Sequence, residues 1–372
     1  MTNPPDRFDP DAGVPLMKAV VTTGSGGYER LVYGDVPVPT PGPGQVLLRV
    51  LAAGVNNTEI NTRLGWYAAG VTTDTAASAD AVGESPPAQE GGWNAPTPFP
   101  FIQGADCCGR VVEVGDGVDR ARIGTRVLVR SCMSPVGSEP HEGVWLGVDV
   151  DGAFAEYLAV AASEVFAVES EWTDAELATL PCAYGTAENM LHRAGVVAGE
   201  HVLVTGASGG VGSALVQLAR RRGASVTAIA GSDKLDQVAG LGADRTVARG
   251  QDPVATLGEQ SVDVVLDTVG GDGVQGLLEL LRRGGRFATC GAIAGPIVSL
   301  DLRTVYLKGL TLVGCTTWDA PVFGNLISYV ERGEIRPVLA QTFPLDEIVE
   351  AQKAFLAKRH VGKLVLLPPA EV

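Results

Sequence analysis

The sequence predicts an α/β protein in which a doubly wound parallel sheet is joined to a β-rich domain. Three observations predict it. A strand, a glycine turn and a helix follow one another directly over 202–219; short apolar strands alternate with helix-length segments from about 173 to 313; and strand-like runs punctuated by Pro and Gly fill much of 18–160. A chain of 372 residues exceeds what one core ordinarily supports, so two domains are expected.

Taken in chain order, residues 1–16 are Pro- and Asp-rich and are expected to form a flexible tail, with Met17 a conceivable second start. Gln45-Val-Leu-Leu-Arg-Val-Leu-Ala, Gly109-Arg-Val-Val-Glu-Val-Gly, Thr125-Arg-Val-Leu-Val and Gly152-Ala-Phe-Ala-Glu-Tyr-Leu-Ala-Val read as strands of a first domain over 17–166. Residues 68–98, between Trp66-Tyr67 and Phe99-Pro-Phe, lack periodicity and read equally as a solvated insertion or a lid. Over 167–316, strands at 202–204, 226–229, 262–266, 285–289 and 311–313 alternate with helices, as in a parallel sheet wrapped on both faces. Residues 317–372 carry an amphipathic helix at 348–357 and a last strand, Gly362-Lys-Leu-Val-Leu-Leu, expected to return to the first domain.

The glycine turn carries the first functional signal. In Val202-Leu-Val-Thr-Gly-Ala-Ser-Gly-Gly-Val-Gly-Ser-Ala-Leu-Val-Gln-Leu-Ala, a buried strand runs into Gly206, Ala207, Ser208, Gly209, Gly210, Val211 and Gly212 and then a helix. Such a turn lets backbone N–H groups approach a pyrophosphate at a helix N-terminus, so a Rossmann dinucleotide site is expected. An acid at the end of the next strand would hold the ribose 2′-OH of NAD, whereas a neutral end with a cation suits the 2′-phosphate of NADP. That strand ends in Ala230-Gly231, with Ser232, Lys234 and, downstream, Arg249; NADP(H) is the expected cofactor, with Lys234 on the phosphate. Asp233 is expected to cap the helix after it.

A net charge of −15 argues against nucleic acid and anionic membranes as partners. No run approaches 18 apolar residues and the first residues resemble no targeting peptide, so a cytoplasmic location is expected. The six cysteines show no disulfide spacing, and His141, His192, His201 and His360 show no ligand spacing.

Together, Gly54-Val-Asn-Asn-Thr-Glu-Ile-Asn-Thr-Arg-Leu-Gly-Trp-Tyr, Gly104-Ala-Asp-Cys-Cys-Gly-Arg-Val-Val-Glu-Val-Gly, Gly152-Ala-Phe-Ala-Glu-Tyr, the glycine turn and Gly291-Ala-Ile-Ala-Gly resemble the medium-chain dehydrogenase/reductase superfamily, most closely its zinc-independent quinone oxidoreductase and enoyl reductase branch. The resemblance implies a GroES-like catalytic domain built from both chain ends, a Rossmann domain between, and a cleft where they meet. It also implies that zinc is absent: zinc-dependent members place a Cys where this chain has Asn56 and a His where it has Ala105, and only Cys182 matches the third ligand. One thiolate cannot hold a catalytic zinc, although Asp106 and Glu59 could add oxygens to an unusual site. The cysteine quartet of a structural zinc is missing, with only Cys132 and His141 in that region.

Conjugate reduction suits such a centre, because hydrogen-bond donors can stabilise an enolate without a metal. By resemblance, Tyr67 is the proton donor or an aromatic wall, the Asn56 amide donates to a substrate carbonyl, and Thr58 relays protons. Glu59 stands where the branch carries Asp, and a structural hydrogen bond is its expected role. Thr186, Asp267, Val269, Gly291, Ala292 and Ile293 line the cofactor; Trp66 and Trp318, with Trp93 and Phe99, point to a small apolar or aromatic carbonyl substrate; and a homodimer is expected. Alcohol or aldehyde dehydrogenase, a natural-product tailoring reductase and a non-catalytic NADPH sensor stay open as alternatives.

Overall fold

The computed structural model describes residues 7–10, 13–81, 96–134 and 142–370. Trp93 and His141 fall outside the described residues, as does most of 82–98. The catalytic side is built on the long strand Gln45–Gly54, which is buried along most of its length. It pairs antiparallel with Cys108–Val114 and Tyr157–Ala161, and at its C-terminal end with Lys363–Leu367. Both chain ends therefore contribute to one sheet, and Leu339–Pro344 extends it as a parallel neighbour of Lys363–Leu367. A smaller sheet of Leu31–Pro37, Leu16–Thr22 and Phe101–Ile102 covers it. Regular structure thus starts at Leu16, and part of the expected loose tail is docked: Arg7 is paired with Asp151 at 2.7 Å and donates to the Pro100 carbonyl at 2.9 Å.

The second layer is a six-stranded parallel sheet in the order Arg245–Ala248, Ser225–Ala230, His201–Val204, Val262–Asp267, Leu281–Thr289, Thr311–Gly314. The order reverses beside His201–Val204, and in open α/β sheets ligands bind at that switch point, beyond the carboxyl ends of the strands. The edge strand Arg245–Ala248 escaped the sequence reading because only Val247 among its four residues is fully buried. In the helix Gly210–Arg221, Ala214, Leu215, Leu218 and Ala219 are all buried against the sheet, as their spacing predicts. Helix Pro181–Arg193 is buried almost throughout, and its core cluster takes residues from both sides of the cleft, including Ala52, Cys108, Val202 and Phe323. Ile348–Ala357 is a helix as predicted. Asp233 caps nothing: a 3-10 turn at Ser232–Lys234 leads into Leu235–Ala239, whose N-terminus has no side-chain cap.

Candidate active site

The glycine turn has the geometry its sequence suggests. Gly206 has φ +58°, which favours glycine, and a Cβ there would lie 2.5 Å from Thr268 Oγ1. A Cβ on Gly212 would lie 2.1 Å from the Gly206 carbonyl oxygen, so only glycine lets the turn close on its helix. Helix Gly210–Arg221 starts from Gly209 with no side-chain cap, leaving its first N–H groups for an anionic ligand.

Two loops at the carboxyl edge of the sheet are zipped together beside this turn. Asp267 is buried; its Oδ1 accepts from Thr205 Oγ1 at 2.6 Å and from the Val269 N–H at 3.2 Å, and its Oδ2 accepts from the Gly270 N–H at 2.9 Å. Its carboxylate shapes the loop, and Oδ2 keeps a second acceptor site. Val269 accepts from the Ala294 N–H at 2.9 Å, which sets Gly291, Ala292 and Ile293 next to it. Ile293 in turn accepts from the backbone N–H of Thr75 at 3.2 Å. The described first part of the 68–98 segment, including helix Thr75–Asp80, therefore reaches across the cleft to the cofactor loops. Trp66 anchors it through Nε1 to the Thr73 carbonyl at 2.9 Å, and Thr75 Oγ1 donates to Asn61 at 3.1 Å. Nothing in the composition of 68–81 announces that contact.

At the end of strand Ser225–Ala230 lies a cluster of cations. Lys234 is 8% exposed and donates to the carbonyl of Lys358, while the Arg249 N–H donates to the Ala230 carbonyl at 2.6 Å and leaves the Arg249 side chain exposed. Burial of its ammonium, then Lys234, pushes Lys358 down to about 8, with the ammonium over the Phe355 ring at 3.8 Å. Lys358 also has exposed surface, so water screens the effect. His360 is held down to about 4 by burial and then by Lys358, Lys234 and Lys363. Among the described residues, no carboxylate makes an ion pair with Lys234 or Lys358. Lys358 and His360 were missed in the sequence because they lie far along the chain from the strand they serve.

The remaining predicted residues gather around helix Asn57–Leu64. The Tyr67 hydroxyl is hydrogen-bonded to Thr58 and Asn61, and burial, which outweighs those bonds, raises it above the ordinary phenol range. Asn56 does not match its expected role: its amide Nδ2 donates to Asp106 Oδ2 at 2.8 Å and to Glu59 Oε1 at 3.2 Å, so both hydrogens are engaged before any substrate arrives. Glu59 accepts from the backbone N–H groups of Asn56 at 2.7 Å and Ala105 at 2.9 Å, and burial, opposed by Lys363, pushes it up to about 7. Its role is the structural one that the sequence suggested. Thr186 lies on helix Pro181–Arg193, 8% exposed. Trp318 is 3% exposed, packed so tightly on Gly185 that a Cβ there would meet its ring at 2.2 Å, and edge-on to Trp145 at 5.7 Å. Trp66 is 9% exposed. Both rings are largely enclosed by packing, Trp66 against Tyr67 and Trp318 between Trp145 and Phe323.

A glycine turn with an open helix end at the switch point of a parallel sheet, beside a β-rich half, is the arrangement of a two-domain dinucleotide-binding protein. Residues 42–170 match the alcohol dehydrogenase GroES-like domain family and residues 210–332 the zinc-binding dehydrogenase family. The acryloyl-coenzyme A reductase of Metallosphaera sedula is 29% identical over 94% of this chain and 99% of its own, and the quinone oxidoreductase of Rattus norvegicus is 29% identical over 95% and 99%. A solved structure from Sinorhizobium meliloti, named as a candidate alcohol dehydrogenase, is 45% identical with a TM-score of 0.87, covering 96% of this chain and 98% of that one. The chain belongs to the medium-chain dehydrogenase/reductase superfamily. Among its described residues no helix is long and apolar enough to cross a membrane.

Proposed function

We propose that this chain is an NADPH-dependent reductase of activated C=C bonds that works without a catalytic metal. The observation that carries the reading is the donor set at the centre: Asn56, Ala105 and Cys182 bring one thiol where a catalytic zinc takes three ligands, and a hydroxyl pair, Tyr67 and Thr58, stands beside it. Among the described residues no three His, Cys, Asp or Glu side chains are grouped to hold an ion.

A bound reduced nicotinamide would supply the hydride. The chain's own residues do the rest. Gly206 to Gly212 and the open end of Gly210–Arg221 hold the pyrophosphate, and Lys234, Lys358, Ser232 and Arg249 surround the place of a ribose 2′-phosphate. Conjugate reduction leaves charge on the substrate oxygen, where a hydroxyl donor is worth most. An enolate is basic enough to take a proton even from a phenol with a raised pKa, so the shift on Tyr67 does not disqualify it as donor. The hydrogen bond from Thr75 to Ile293 ties the start of the 68–98 segment to the cofactor loops. A small apolar or aromatic enone, quinone or enoyl thioester is the substrate class, in keeping with the names of the two curated relatives. The edge strand Thr311–Gly314 and helix Leu302–Lys308 expose Leu312, Leu302 and Tyr306, an apolar edge that supports a homodimer.

The test is a panel of enones, quinones and enoyl thioesters, with alcohols added because of the Sinorhizobium protein's name, each assayed with NADP and NAD couples. Alkene or quinone reduction with NADPH is expected; turnover of alcohols alone overturns the reading. Tyr67→Phe should lower turnover by roughly 10² at unchanged KM for NADPH, and unaltered turnover would make Tyr67 a wall of the pocket.

A further inference from the structure

The Thr75 side chain has no part in that scheme, yet it is 4% exposed and held in place by its neighbours. It opens helix Thr75–Asp80, which Asp74 caps by accepting from the Ala77 N–H at 2.8 Å. The turn before it is closed by Trp66 Nε1 on the Thr73 carbonyl, and its own backbone N–H is committed to the Ile293 carbonyl. From that place the Thr75 hydroxyl donates to Asn61 Oδ1 at 3.1 Å and accepts from Asn57 Nδ2 at 3.5 Å. Asn61 is 3% exposed, and its other side-chain partner is the Tyr67 hydroxyl. An amide that accepts through Oδ1 has only its Nδ2 hydrogens for a second partner, so Asn61 donates to the Tyr67 oxygen. The donors therefore run one way: Asn57 to Thr75, Thr75 to Asn61, Asn61 to Tyr67.

We infer that Thr75 is a positioning residue for the proton donor: it fixes the Asn61 amide so that an N–H faces the Tyr67 oxygen, and the phenol's own O–H is turned to Thr58 or to a bound substrate. The inference rests on the reading of Tyr67 as donor and adds what sets the direction of its proton. A phenol both donates and accepts, so an acceptor at residue 61 would draw the Tyr67 proton away from the enolate. With a donor there, the only side-chain acceptor named for that proton inside the protein is Thr58. When Tyr67 protonates the enolate, its O–H bond breaks as the new bond to substrate hydrogen forms. The phenolate that remains, which takes its proton back from water after product leaves, is met by an amide donor already in place. Hydrogen bonds aligned in one sense also polarise one another. Because Thr75 is pinned to Ile293, the direction of the donor is set from the loop that lines the cofactor.

Thr75→Val and Thr75→Ser test this, since both keep the backbone N–H for Ile293 and only Ser keeps the hydroxyl. The first readout is carbon NMR of the full chain with its tyrosines labelled at Cζ, the Tyr67 line being the one that Tyr67→Phe removes. That line should move in Thr75→Val and stay at its native position in Thr75→Ser. A line unmoved in Thr75→Val, or moved equally in Thr75→Ser, overturns the inference, and this is read without turnover. The second readout is reduction of cyclohexenone. Thr75→Val should lower kcat roughly tenfold at unchanged KM for NADPH, Thr75→Ser should return it to within about twofold of native, and Thr75→Val should cost nothing further in a Tyr67→Phe background. An equal further loss in that background would make Thr75 a support of the fold and overturn its action through Tyr67. A slow Tyr67→Phe beside a native Thr75→Val overturns this inference alone, whereas full turnover in Tyr67→Phe overturns the donor reading and the inference with it. If Thr75→Val does not fold, Thr75→Ala, which also lacks the hydroxyl, takes its place in both readouts.

Discussion

Two lysine clusters lie within the same cleft, and they are built in opposite ways. Lys363 comes with its own carboxylate, and every hydrogen of its ammonium is committed inside the protein. Lys234 and Lys358 have each other's neighbourhood, a backbone carbonyl and an aromatic face, and no carboxylate in an ion pair among the described residues. A self-neutralised buried pair holds structure, whereas cations crowded without an anion raise each other's cost until an anion arrives. The difference separates a charge neutralised within the fold from charges that the proposed 2′-phosphate would neutralise.

The largest expected effect follows directly. Lys363→Met leaves Asp106 buried without its cation and should cost about 3–5 kcal/mol in chemical denaturation. Lys358→Met removes a charge that is unpaired and partly in water, and should change stability by no more than about 0.5 kcal/mol. Equal losses in the two variants would erase the contrast. On cofactor binding the order reverses. Lys234→Ala and Lys358→Met should each raise KM for NADPH by roughly 10- to 100-fold, since a hydrogen bond to a charged group contributes about 1.5–3 kcal/mol, and should leave KM for NADH within about threefold. Matching changes with both cofactors would remove the 2′-phosphate from this cluster.

How much of this was legible depended on whether partners were close in sequence. The glycine turn, its strand and its helix are one local unit, and their pattern of Gly and apolar residues specified the element. The missing acid at Ala230 and the missing ligands at Asn56 and Ala105 could be read because each is a substitution inside a recognisable motif. Lys363 could not be read in that way. It stands between Gly362 and Leu364 at the head of a buried strand, and a lysine there signals an expensive interior charge, but its three acceptors come from residues more than 250 positions away. The Asn56 assignment failed for the same reason: with Lys363 on its oxygen, the amide has to turn its hydrogens to Asp106 and Glu59. The contact of Thr75 with Ile293 is between backbone groups, and backbone pairing across a cleft leaves no mark on composition.

The smallest expected effect is also the one that distinguishes the clusters without a mutation. Lys358, pushed down to about 8, carries its charge below that pH and loses it as pH rises through it. His360, held down to about 4, is neutral across the same range and contributes no compensating charge. Attraction for a 2′-phosphate should therefore weaken on the alkaline side, although the bound phosphate itself favours the protonated lysine and moves the midpoint of the complex upward. KM for NADPH should rise by roughly three- to tenfold between pH 7 and 9.5, with NADH flat over the same interval, and Lys358→Met should flatten the NADPH profile. A rise shared by both cofactors would assign the titration to the reaction centre, on the Glu59 and Tyr67 side of the cleft, and would leave the open cluster without its ligand.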